Sequence, residues 1–102
     1  MDVVIKQKDS EVIAEISGDI DNFAAEKLQV EMAKIVKLRP KSVILNLKEV
    51  PVMGSSGIGK ILYLYKELNK NNASFAISGL HANLFEIFKS LKLEKLFSIK
   101  KD

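Results

Sequence analysis

Residues 42–62 read SVILNLKEVPVMGSSGIGKIL. Ser42 to Leu47 form a nearly continuous apolar run, which suits a short strand covered on both faces. From about Ser56 to Asn69 the period turns helical, with Ile58, Ile61, Leu62, Tyr65 and Leu68 on one inner face. The loop between them nearly spells a phosphate-binding motif, because Gly54, four residues, Gly59 and Lys60 fit G-x-x-x-x-G-K. That motif needs a hydroxyl next, to bind Mg²⁺, and Ile61 stands there on the apolar stripe. The strand offers Asn46 where a metal-organising Asp would normally end it. Six residues also separate Leu47 from Gly54, whereas a phosphate loop follows its strand closely. Lys60 therefore reads as an exposed helix residue. A serine hydrolase fits no better, since Gly54-Ser55-Ser56-Gly57 does not match G-x-S-x-G. What remains is a strand, a loop, two adjacent serines and a helix start.

The flanking sequence extends this unit in both directions. Val3-Val4-Ile5 and Val12 to Ile16 have β-branched, partly alternating character and read as a hairpin around the polar turn KQKDSE. Gly18 ends the second strand. Asp21 or Asn22 can cap a helix, because a short side-chain oxygen accepts from free first-turn amides. That helix runs from Phe23 to about Leu38, with Ala24, Leu28, Met32, Ile35 and Val36 on one face, and Arg39-Pro40 stops it. Phe23 and Val30 fall off the inner face. Downstream, NKNNAS is a turn and SFAIS a strand. His81 to Leu91 is a third helix, with Leu84, Ile87, Phe88 and Leu91 inward and His81 exposed at its start. LEKLFSIKKD gives a helical turn and a last short strand. The order ββαβαβα(β) predicts an α/β fold, a mixed β-sheet with packed helices and right-handed crossovers.

Composition narrows the functions open to such a domain. A chain of 102 residues supports one compact domain, 1–102, and 47% apolar content supplies its core. There is no Cys, which excludes disulfides, thiolate metal sites and thiol catalysis. The single His has no carboxylate or metal-ligand spacing around it, so no metal, cofactor or catalytic residue is expected. The net charge of +3 comes from scattered Lys residues. Nucleic-acid binding needs clustered charge and is not expected. The N-terminus lacks the pattern of a signal peptide, and no apolar run is long enough to span a membrane. A cytoplasmic protein without membrane insertion is expected, a monomer or weak dimer.

Three segments together carry a family resemblance. VILNLKEVPVMGSSGIGKIL resembles the central motif of the STAS domain, as found in bacterial anti-sigma-factor antagonists: a hydrophobic strand, then Asp-Ser-Ser-Gly-Leu/Ile-Gly. ISGDIDNFAAEKL resembles the family's Gly-x-Ile-Asp and first helix. LFEIFKSLKLEKLFSI resembles its third helix and closing segment. The resemblance covers nearly the whole chain and implies a STAS-type sheet with packed helices. It implies a regulatory module rather than an enzyme, which binds an anti-sigma factor of the serine-kinase type and so releases a sigma factor. It further implies that phosphorylation of Ser55, the first serine of the pair, breaks the complex. The same fold also serves in lipid-transport and stress-signalling assemblies, and a nucleotide-binding enzyme is the rival of a different class.

The candidate surface follows from that resemblance. Ser55 is expected at or near a helix N-cap, its hydroxyl accepting from first-turn amides while its position stays exposed. Ser56 is expected as a structural first-turn residue. Asp21 should approach the same surface, with Gly54 and Gly57 shaping the loop and Met53 packed beneath it. Tyr63, opposite the inner stripe, is a candidate partner contact. Two departures stand out. Gly54 replaces the family Asp, which suggests either a positive φ that Gly supplies freely or a lost carboxylate that helps phosphate transfer. Lys92 stands where many members have Gly.

Overall fold

The computed structural model describes residues 1–102. Strands β1 (Asp2–Lys8) and β2 (Glu11–Ser17) pair antiparallel. The predicted six-residue turn is in fact two residues, Asp9 and Ser10. Lys6, Gln7 and Lys8 continue the ladder to Glu11, and Asp9 takes the sharp corner at a φ of 55°. Asp tolerates that left-handed conformation better than most side chains.

Gly18, at a φ of 93°, releases the chain from β2. Helix α1 (Asn22–Lys37) follows, with Asp21 as its N-cap, and ends at Leu38. Arg39 takes a φ of 51° and Pro40 is buried. The chain then runs through β3 (Ser42–Glu49), α2 (Ser55–Lys70), β4 (Ser74–Leu80) and α3 (Ala82–Ser90). A 3-10 turn (Leu93–Lys95) and β5 (Ser98–Lys101) complete the predicted order.

The sheet order is β1-β2-β3-β4-β5, parallel from β2 onward. Every crossover steps the same way across the sheet. Right-handed crossovers that all step the same way place all their helices on one face. The burial pattern agrees. Val12, Val43 and Phe75 are register partners and all buried, as are Ala14, Leu45 and Ile77 one pleat further on. Their neighbours Ile13, Ile44 and Ala76, on the opposite face, are only half-buried. The expectation that β3 is covered on both faces is thus corrected to one covered face.

The helix stripes shift slightly from those read in the sequence. In α1 the buried residues are Ala25, Leu28, Met32 and Ile35, while Ala24 and Val36 lie at the margin. In α2 they are Gly57, Ile58, Ile61, Leu64 and Leu68. Leu62 and Tyr65 are half-buried instead, at the margin of a buried stripe that α2 shares between the sheet and α1. The ring of Tyr65 meets Phe97 at 5.4 Å, and Phe97 meets Phe75 at 4.8 Å, which pins the closing segment to α2 and β4. In α3 only Leu84 and Phe88 are buried. Ile87 and Leu91, expected inward, are exposed because α3 packs on β5 and the 3-10 turn rather than on α2. One continuous apolar cluster joins the helices to the sheet, and no polar or charged side chain is buried within it.

Candidate functional site

The site forms where two chain reversals zip together at the carboxyl ends of β2 and β3. Gly18 N–H donates to Glu49 O at 2.9 Å, Ile20 N–H to Val52 O at 3.0 Å, and Gly54 N–H to Ile20 O at 2.8 Å. Ile20 and Met53 also form a parallel bridge, and both are buried. These bonds satisfy loop backbone that would otherwise face the core unpaired. They hold the first turns of α1 and α2 side by side.

Each first turn has its own chemistry. At α1, the carboxylate of Asp21 accepts from Ala24 N–H at 2.7 Å, and the residue stays exposed. Asn22 does not share this capping role. Its Oδ1 accepts the hydroxyl proton of Ser56 at 2.8 Å and so ties the two helices together. At α2 the N-cap is Gly54, not Ser55, and no side chain caps the helix. Gly54 has φ −84° and ψ 172°, ordinary extended backbone. The positive-φ explanation for this glycine is therefore corrected. Ser55 is the first helical residue, exposed, and its hydroxyl makes no hydrogen bond within the chain. Neither helix carries an acidic residue in its first turn.

Gly57 is the residue that lets the two reversals close. A Cβ there would fall 2.7 Å from Cγ2 of Ile20 and 2.9 Å from Cγ of Met53. Met53, expected beneath the loop, is indeed buried. Phe23 and Val30 do fall off the inner face, at 91% and 57% exposure.

Other sequence candidates lie elsewhere or are less free than expected. Tyr63 is half-buried and packs against the core rather than standing clear of it. Lys60 is half-buried as well. His81 is half-buried at the N-cap of α3, with Nε2 2.8 Å from Lys48 O. The near-match to a phosphate loop dissolves in the geometry. Residues 55–60 are already helical, and the amides of Gly57 and Ile58 are spent on Gly54 O. No loop is left to wrap a phosphate chain, and Ile61 is fully buried. No three His, Asp or Glu side chains converge to hold a metal ion. The sequence missed the Asn22–Ser56 tie. Both residue types are visible in it, but nothing local says that they meet across 34 positions.

The arrangement thus offers one free hydroxyl on an exposed helix start, a buried floor, and a second helix start alongside. The family model for the STAS domain matches residues 2–102. The anti-sigma-B factor antagonist of Listeria monocytogenes is 28% identical over 100 residues, covering 96% of this chain and 87% of that protein. The structure of an anti-sigma factor antagonist from Mycobacterium paratuberculosis superimposes with a TM-score of 0.88 at 21% identity, covering 99% of this chain and 86% of that one. The Bacillus cell fate determinant SpoIIAA in its phosphorylated form superimposes with a TM-score of 0.78 at 16% identity, covering 99% of this chain and 92% of that one.

Proposed function

Because the chain belongs to the STAS domain family, we propose that it is an anti-sigma-factor antagonist, a binding module that captures an anti-sigma factor and so releases a sigma factor. Relatives across nearly the whole chain carry that name. The observation that carries the mechanism is the division of labour between the serines. Ser56 spends its hydroxyl on Asn22, while Ser55 is exposed with its hydroxyl free.

The surface around Ser55, with Asp21 and Gly54, is the partner-binding face; Gly57 is buried and shapes that face from beneath rather than touching the partner. The anti-sigma factor is of the serine-kinase type. The Ser55 oxygen attacks the terminal phosphoryl group of the kinase's ATP, ADP leaves, and the serine proton passes to a base on the kinase. The product adds about −1.5 to −2 charges to a surface that the partner must cover. If desolvating that charge costs the complex about 3–4 kcal/mol, affinity falls several-hundred-fold. The chain itself supplies no catalytic residue. It acts in the cytoplasm, and none of its helices is long and apolar enough to cross a membrane.

The test is a displacement assay with the anti-sigma factor and sigma factor of the source organism. Added chain should free the sigma factor, and chain phosphorylated on Ser55 should not. No release by the unmodified chain would refute the reading.

A further inference from the structure

Phe23 is 91% exposed, more than any other large apolar side chain in the protein. It sits in the first turn of α1, one residue after Asn22, whose side chain touches Ser56. Local structure does not require an aromatic ring there. Asp21 already caps the helix. The apolar contact that often fixes a helix entry joins the residue before the cap to the fourth helical residue. Those residues are Ile20 and Ala25, both buried. A polar residue would serve the first turn as well and would leave no ring in water.

The two chain reversals that lead into α1 and α2 carry further exposed groups. Val52, whose carbonyl receives the Ile20 amide, is 55% exposed. Asp19 and Asp21 are exposed on the same reversal, and neither forms an ion pair. An apolar tip and two exposed carboxylates, neither in an ion pair, thus share the helix start that Asn22 ties to Ser56, the residue next to Ser55. Val30 and Leu38 are exposed further along α1, and Ile87 and Leu91 at the C-terminal end of α3. That end of α3 lies at the opposite end of the layer, since helices between parallel strands run antiparallel to them.

We propose that Phe23 is the apolar anchor of the face that covers Ser55, and that it enters an apolar pocket of the anti-sigma factor whose rim offers donors or cations to Asp19 and Asp21. The inference rests on the antagonist reading above and adds the residue that holds the partner. Exposed aromatic rings that become fully desolvated dominate protein interfaces. The acidic flank fixes the chemistry of the rim by charge complementarity. Phosphate on Ser55 then adds bulk and uncompensated charge beside a rim already matched to two carboxylates.

Titration calorimetry with the purified anti-sigma factor of the source organism tests this. Phe23→Ala should weaken binding by about 30-fold or more, the scale of an interface hot spot. Phe23→Tyr should stay within a few-fold of the parent, and Leu91→Ala, at the far end, should match it. Asp19→Asn should weaken binding less and flatten its salt dependence. An unchanged melting temperature for Phe23→Ala separates lost contact from lost fold. If the parent chain binds, loses binding on Ser55 phosphorylation, and Phe23→Ala binds equally well, the anchor is wrong and the antagonist reading stands. If the parent chain does not bind at all, both fall.

Discussion

Gly57 lies so close to Ile20 that a Cβ on the glycine would sit 2.7 Å from the Ile20 Cγ2. Both residues are buried, so neither can swing into solvent. Gly57→Ala should therefore cost about 1–3 kcal/mol, the usual range for overpacking. Gly59, two residues on, has nothing within 4 Å of its would-be Cβ. Gly59→Ala should instead stabilise the protein by about 0.5–1 kcal/mol through helix propensity. Denaturant titration of the two variants checks both signs, and equal effects would remove the close approach as a reason for Gly57.

Phosphorylation of Ser55 should leave the melting temperature nearly unchanged. The phosphate would sit at the start of α2, where uncapped amides and the positive end of the helix favour an anion by roughly 0.3–2 kcal/mol. Scanning calorimetry of the modified and unmodified chains is the measurement. A large fall in melting temperature would mean that the switch acts through the fold rather than through the interface.

Gly54→Asp should gain stability and phosphorylation rate together. The backbone is already extended, and a Cβ at this position would meet Asn22 Oδ1 at an ordinary 3.7 Å. An Asp can then cap α2 as Asp21 caps α1, worth about 0.3–1 kcal/mol. If the carboxylate also orients the Ser55 hydroxyl, single-turnover phosphorylation by the kinase should rise by up to about 100-fold. Equal rates would leave Gly54 as a missing cap and nothing more.

Lys92→Gly should raise stability by about 1 kcal/mol. Lys92 holds φ 60° and ψ 30°, a left-handed conformation between α3 and the 3-10 turn. A side chain pays about 1–2 kcal/mol there, and glycine does not, although glycine's freedom in the unfolded chain returns part of the gain. Chemical denaturation would register the gain, and a loss would show that the Lys92 side chain does something its backbone does not reveal.

The element order was legible because each segment carried its own period and its own punctuation. Gly18, Asp21, Arg39-Pro40 and the NKNNAS turn each marked a boundary that the fold keeps. The faces were less legible. The helical period selects Leu62 rather than Leu64, because both lie near the stripe and only the tertiary packing of α2 decides between them. The run Ser42 to Leu47 reads as a strand buried on both faces. Strand composition does not reveal that three crossovers step in one direction. At the site, the resemblance located Ser55 and its neighbours. The cap residue and the Asn22–Ser56 tie needed coordinates, since both depend on how the reversal at Ile20 meets the one at Met53.

The sheet order follows the chain order without a single interruption. Each strand pairs with the one just before it, so no strand has to wait for a partner that arrives later. The hairpin of β1 and β2 alone would be marginal in water. It becomes worth forming once α1 and β3 close on it, and each further helix–strand pair adds to an edge that already exists. Contacts stay as local as crossover connections allow, although each parallel pairing still waits on the closure of its crossover. In a domain built this way, every strand finds its sheet neighbour in the segment of chain that immediately precedes it.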